Sequence, residues 1–274
     1  MLAIRRINRG LLYVLLLLIA CFYLIPVYVV LVTSFKTNTE VSLSQMWWLP
    51  HQWSLQALGA AWHALGPNFG NSFMLAIPAT ILASLFGSIN GYALSKWKFK
   101  GANVVFFLIL FGMFIPYQSV LIPLLKVLDL ISLYNTIPGL ILVHVVYGIP
   151  ICTLIFRNFY ASIPTDIIES AQIDGTGYWG IYRHIILPLS ISGFVVAGIW
   201  EFTQVWNNFL FAVAVTNPPH QPVTVALVNI AGSQTVQFNE QMASALIASI
   251  PTLIVYIFLG KYFVRGLLAG SVKG

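Results

Sequence analysis

The stretch PTDIIESAQIDGTGYWGIYRHIILP, from Pro164 to Pro188, decides how the rest of the chain is read. It is a polar-bearing insert between two apolar runs, and its pattern is helical. Pro164 suits the first position of a helix, and Asp166 and Glu169 place acid near the N-terminal end, where the helix dipole favours it. Ile167, Ile168 and Ala171 fall on one side and Glu169 and Gln172 on the other, so the helix is two-faced. Gly175 and Gly177 end it, glycine being the residue that takes a left-handed turn at little cost. Tyr178, Ile181, Tyr182 and Ile185 form a second short stripe before Pro188 opens the next apolar run. A helix this short is marginal alone in water and needs a partner surface. The stretch therefore reads as a docking element, with Ala171 expected close against the partner. An ordinary amphipathic connector lying on a membrane surface is the alternative.

Outward from this insert the chain is apolar. Of its 274 residues 59% are hydrophobic and 7% charged. A soluble domain carries roughly a quarter charged residues, so the composition is that of a multispan membrane protein. Six runs are long enough to cross a hydrocarbon core, which takes about 20 residues. They lie near Leu11–Thr33, Asn71–Ser95, Ala102–Leu125, Thr136–Phe156, Leu189–Val215 and Met242–Val264. The first follows Arg5, Arg6 and Arg9, is too long for a signal core and shows no convincing cleavage site, so it reads as a retained span.

An even span count puts both termini on one side. With the N-terminus inside, Arg5, Arg6, Arg9, Lys96, Lys98, Lys100, Arg157, Arg183, Lys261, Arg265 and Lys273 are cytoplasmic, 11 of the 13 basic residues. Only Lys36 and Lys126 fall outside, as the positive-inside rule requires. The expected organisation is a cytoplasmic N-terminus (1–10), a first span (11–33), an extracytoplasmic loop (34–70), a core of five spans (71–264) with a cytoplasmic loop at 159–188, and a cytoplasmic C-terminus (265–274). The class is all-α. Cys21 and Cys152, far apart in apolar runs, indicate neither a disulfide framework nor a metal site.

Several features inside this frame could carry function. Trp47, Trp48, Trp53 and Trp62 in the first loop suit a membrane interface, or, as the less favoured reading, stacking on a sugar. Gly87, Ser88, Gly91 and Ala93 read as close helix packing. Gln118 stands beside the proline break at Pro116, and His144 reads as a hydrogen-bonded interior residue. The fifth span is the most polar, with Glu201, Gln204, Asn207 and Asn208 among Trp200, Trp206 and Phe209. Glu201, Gln204 and Asn208 follow a helical repeat that puts them on one face. Counted from Leu189 at 1.5 Å per residue, Glu201 sits ~18 Å deep, near the middle of a core ~30 Å thick. An acid there should face the bundle interior or a wet cavity. These residues, with Gln118, are candidates for a solute path; a polar contact between two subunits is the competing reading.

At the insert the spacing resembles the Glu-Ala-Ala loop of ABC importer permeases. Glu169, Ser170, Ala171 and, after three residues, Gly175 are followed after nine by Ile185, Leu187 and Pro188. Ser170 replaces the first alanine of the pattern, and both are small. In that family the loop is the coupling helix, seated in a cleft of a separate ATPase subunit. The resemblance thus assigns ATPase coupling to Glu169, Ser170, Ala171, Asp174, Gly175, Ile185, Leu187 and Pro188. Trp206-Asn207-Asn208-Phe209-Leu210-Phe211-Ala212, followed by Thr216, is similar to a segment of carbohydrate-importer permeases of the maltose-transporter type. Asn208 stands where that pattern has glutamate, which leaves any role of that acid without a carrier here. Tyr117–Pro123 and His144–Asn158 look most like the glucose/mannose-type branch.

The resemblance implies a six-helix subunit paired with a second permease, two ATPase subunits and an extracytoplasmic sugar-binding protein. The loop at about 217–241 would contact that protein. No GxxxxGK[ST] phosphate loop occurs in the sequence, so no cofactor is expected on this chain, with ATP and Mg on the partner ATPase. An ion-coupled secondary transporter would normally show repeated halves and coupling carboxylates, and Glu201 is the only carboxylate within a span. An intramembrane enzyme would need a nucleophile–base pair or metal ligands, and no such spacing is present.

Overall fold

The computed structural model describes residues 2–42, 44–97, 99–233 and 235–269, with side chains from residue 9 to residue 262. Lys98 and Lys273, and the side chains of Arg5, Arg6 and Arg265, which enter the expected orientation, lie outside the described residues. The described chain is helical: α1 (Leu2–Ser34), α2 (Gln56–Lys96), α3 (Ala102–Phe111), α4 (Tyr117–Leu130) and α5 (Ile137–Ala161) come first. Then follow α6 (Thr165–Ile173), α7 (Tyr178–Ile181), a π turn at Tyr182–Ile186 and the single turn α8 (Leu187–Leu189). The chain closes with α9 (Ile191–Asn207), α10 (Leu210–Val215), α11 (Val223–Ala231) and α12 (Phe238–Ala269).

Four of these helices, α1, α2, α5 and α12, are long and apolar enough to cross a membrane. Two bent pairs bring the number to six. The third expected span is not one straight helix: it breaks at Ile115-Pro116, where α3 and α4 meet at 97°. Proline supplies no N–H and pushes the residue before it out of the helical region, so the break falls there. The second pair, Tyr178–Leu189 with Ile191–Asn207, is bent by 75° at Ser190, and the fifth expected span is interrupted again at Asn208, which has extended backbone.

The expected loop at 34–70 is a loop only as far as residue 55. From Gln56 the chain is already in α2, which runs 41 residues. Ala57, Ala61, Leu65 and Phe69 are buried four residues apart, a helical stripe that the surrounding glycines and tryptophans disguise. The chain forms two compact units, residues 1–67 with 226–250, and residues 68–225 with 251–274.

In the first unit the segment after α1 is pinned by polar groups. The Lys36 ammonium is buried and donates to the Gln45 carbonyl (2.6 Å), and burial, partly opposed by Glu40, lowers its pKa. The Glu40 carboxylate accepts from the His51 and Gln52 N–H groups. Asn239 donates to the Lys36 carbonyl (2.9 Å) and to Asn38 Oδ1 (2.8 Å). Trp47, Trp48, Trp53 and Trp62 are all exposed, as interfacial anchors would be.

The second unit is built on close approach of α2 and α5. Gly87 lies against Cys152, and a Cβ on Gly91 would come within 2.7 Å of Phe156 Cβ and 2.8 Å of the Arg157 nitrogen. Only glycine permits that separation, so these positions serve packing, as expected. In its first half α2 holds the loop before α11: Asn68 and Asn71 donate to the Gln221 carbonyl (2.7 and 3.0 Å), Asn71 also to that of Pro219 (2.7 Å). Ser72 Oγ accepts from the Val223 N–H (2.7 Å). On the other side Asn135 Oδ1 accepts from the Asn217 N–H (2.7 Å). The loop at 216–222 is thereby held at a fixed position within this unit.

Candidate functional site

The insert is a short helix with a defined end. Pro164 precedes α6 rather than opening it, and the helix starts at Thr165. At the other end Gly175 has φ +80°, the left-handed conformation expected of it. The Thr176 N–H reaches back to the Ala171 carbonyl (2.9 Å) and the Gly175 N–H to that of Gln172 (3.0 Å), a Schellman cap that satisfies two terminal carbonyls. Gly177 has extended backbone (φ −76°, ψ 174°), so it is not a second left-handed stop. A Cβ on Gly175 would meet nothing within 4 Å, so backbone conformation alone asks for glycine there.

Two residues anchor α6 to its own chain. Ile168 and Ala171 are buried in a cluster with Tyr92, Phe156, Tyr160, Ile181, Tyr182 and Ile186. Ala171 is 7% exposed, which corrects its expected place against a partner. The outer face carries Asp166, Glu169, Ser170, Gln172 and Asp174, all exposed. It also carries apolar groups: Ile167 is 41% exposed and Ile173 87%, and on α7 Trp179 is 62% exposed. Ile167 therefore does not share the inward face with Ile168, and Ile173 and Trp179 were not among the expected site residues. Ile173 lies two residues past Ala171, on the far side of a 3.6-residue turn, which was the available signal.

The second stripe is shifted by the π turn. Ile181, Tyr182 and Ile186 are buried, while Ile185 and Leu187 only pack half-buried against the cluster and Pro188 is exposed. Ile181 and Ile186 share a face five residues apart because the turn between them has π spacing. Pro188 has no N–H to close an ordinary turn, and the Leu187 N–H bonds instead to the Tyr182 carbonyl. Ile185, Leu187 and Pro188 thus shape the turn behind α6 and do not share its exposed face.

The polar residues of the fifth span separate. Glu201 is buried, its carboxylate against Gly148 of α5, where a Cβ would collide with it. Gln204 and Asn207 are exposed, as is Trp200, and Asn207 Nδ2 returns to the Thr203 carbonyl (2.9 Å) of its own helix. Asn208 lies beyond the helix end, and its Oδ1 accepts from the Phe211 N–H (2.9 Å), ordering the start of α10. Asn208 leaves the expected common face because α9 stops at Asn207, while Glu201 and Gln204 keep their three-residue spacing within α9 but differ in burial. Gln118 is exposed on the first turn of α4, and its neighbour Tyr117 packs on Phe211 of α10 at 5.5 Å between ring centroids. His144 is buried edge-on to Phe211 (5.8 Å), but its Nε2 has no hydrogen-bond partner among the described residues, contrary to expectation. Among the described residues no three His, Cys, Asp or Glu side chains form a metal-binding group.

Comparison with known proteins matches this architecture. Residues 83–268 match the family described as binding-protein-dependent transport system inner membrane components. A probable ABC transporter permease protein of Pyrococcus horikoshii is 43% identical, over 98% of this chain and 100% of its own. A xylose/arabinose import permease protein of Haloferax volcanii is 36% identical, covering 93% of this chain and 90% of that one. A glucose import system permease protein of Saccharolobus solfataricus is 32% identical, over 98% and 97%. Among solved structures, a bacterial ABC transporter involved in the import of the acidic polysaccharide alginate contains a chain of the same fold. Its TM-score is 0.81 at 21% identity, over 94% of this chain and 97% of that one.

Proposed function

Because the chain belongs to the family of binding-protein-dependent transport system inner membrane components, we propose that it forms, with a second permease, the membrane path of an ATP-driven sugar importer. Relatives named for xylose/arabinose and for glucose import favour a monosaccharide of the glucose/mannose kind. The observation that carries the reading is the outer face of α6. Ile173 stands exposed on a helix that Ile168 and Ala171 anchor to the chain's own core, and Trp179 stands exposed on α7, just past the Gly175 stop. Exposed apolar side chains on and just after a braced helix, which also exposes Asp166, Glu169 and Asp174, make an interaction surface. Its partner is one subunit of an ATPase pair, which carries the ATP and Mg. The loop at 216–222, held by Asn68, Asn71 and Asn135, is the contact for an extracytoplasmic sugar-binding protein. Of the polar residues, Gln118, Gln204 and Asn207 are available to line the path, while Glu201 and Asn208 serve the fold.

Purified with the second permease, the ATPase and the binding protein, the chain should hydrolyse ATP in response to a sugar. A screen over monosaccharides and disaccharides identifies it, and hydrolysis indifferent to every sugar in the presence of binding protein would sink the reading. Ile173→Asp should weaken capture of the ATPase roughly 30-fold, the equivalent of losing a hot-spot contact of about 2 kcal/mol. Unaltered capture would move the docking surface elsewhere.

The orientation follows from the basic residues and is part of the proposal: both termini and α6 are cytoplasmic. In a background lacking Cys21 and Cys152, Ser170→Cys should react with an impermeant thiol reagent only from the inside. Gln221→Cys should react only from the outside. Reaction of Ser170→Cys in intact cells, with any outer barrier permeabilised, would reverse the topology.

A further inference from the structure

Three elements remote in sequence meet at one hydroxyl. Ser88 of α2 shares hydrogen bonds with the hydroxyls of Tyr160, near the end of α5 (2.6 Å), and Tyr182, first residue of the π turn (2.8 Å). All three residues are buried. One turn further along α2, Tyr92 packs on Tyr178 (4.8 Å between centroids) and Tyr182 (5.5 Å). One turn beyond that, Lys96 donates to the Ile163 carbonyl (2.5 Å), just ahead of α6. Ser88, Tyr92 and Lys96 are spaced four apart, so a single face of α2 grips the chain both before and after α6.

These contacts are not equivalent mechanically. Apolar contacts are undirected and each is weak per atom pair, although together they pack the cluster tightly. A hydrogen bond inside a dry interior is directional, and losing it leaves a buried hydroxyl without a partner. The Ser88 bridge is therefore the stiff point of the junction. We propose that Ser88 is a positioning residue for energy coupling: its hydroxyl locks Tyr182 to α2 and α5, so that displacement of α6 reaches both spans without slack. This rests on α6 being the ATPase-docking helix. The π turn fits the role, because it rotates Tyr182 inward to Ser88 while Arg183 and His184 stay exposed.

The test uses the assembled transporter, reading sugar transported per ATP hydrolysed. Ser88→Ala removes both bonds and leaves a side chain that fits the same space. It should assemble and bind the ATPase normally, hydrolyse ATP, and transport about 5- to 30-fold less sugar per ATP, the equivalent of about 1–2 kcal/mol. Tyr182→Phe should do the same, and Ser88→Ala with Tyr182→Phe should be no worse than Ser88→Ala alone. A wild-type transport-to-hydrolysis ratio in both single variants overturns the proposal. So does a parallel fall in transport and hydrolysis, or poor assembly, either of which would make the bridge merely structural. Ile173→Asp separates the two claims: if it binds the ATPase normally the docking reading fails, whereas an unchanged ratio in Ser88→Ala fails this inference alone.

Discussion

Gly91→Leu is expected to leave no folded permease in the membrane. A Cβ at this position would stand 2.7 Å from Phe156 Cβ, 2.8 Å from the Arg157 nitrogen and 2.9 Å from the Phe156 carbonyl carbon. Two of those atoms are backbone, so relief requires α5 itself to move. Moving α5 pulls Tyr160 from Ser88 and opens the cluster beneath α6. Overpacking of this kind costs about 3 kcal/mol or more, roughly a 100-fold shift toward the unfolded or misassembled chain. The measurement is the yield and thermal midpoint of the detergent-purified protein. Gly198→Ala is the matched control, since its Cβ would meet only Thr80 Cγ2 at 3.9 Å, an ordinary contact. Wild-type yield and midpoint for Gly91→Leu would mean that α2 and α5 do not approach as described.

Ala171→Asp should detach α6 from the chain's own core, and loss of the ATPase should follow from that. The side chain points into the cluster of Tyr92, Tyr160 and Tyr182, where a carboxylate has no cation facing it among the cluster residues. An uncompensated buried charge costs about 3–5 kcal/mol. That exceeds what a nine-residue helix with two anchoring residues can offset. Limited proteolysis in inside-out vesicles should cut Ala171→Asp between residues 163 and 177 while sparing the wild type, and ATPase capture should fall more than about 10-fold. Glu169→Lys, on the exposed face, should leave the protease pattern unchanged. Gly175→Val should fall between them, because its Cβ meets nothing and only the left-handed backbone resists, at about 1–2 kcal/mol. If Ala171→Asp stays protected yet loses the ATPase, the residue faces the partner after all.

What the amino-acid sequence determined by itself is what depends on local backbone and on solvent. Six apolar stretches long enough to cross a bilayer can be counted without a structure, because length and the absence of charge suffice. The Gly175 stop was legible because a Schellman cap needs a left-handed residue, and the small residues Gly87 and Gly91 announced close packing. The start of α2 was not, since its stripe at Ala57, Ala61 and Leu65 is small and lies among glycines and tryptophans. Tertiary structure alone decided which way each helix face turns. It put Ala171 inward and Ile173 outward, moved the second stripe from Ile185 to Ile186 through a π turn, and buried Glu201 against Gly148 while leaving Gln204 and Asn207 exposed. In water, apolarity marks the inside of a protein. In a membrane, lipid is as apolar as a core, so a hydrophobic side chain does not say which it faces. Only the neighbouring helix, through the groove it offers and the space a glycine leaves, makes that choice.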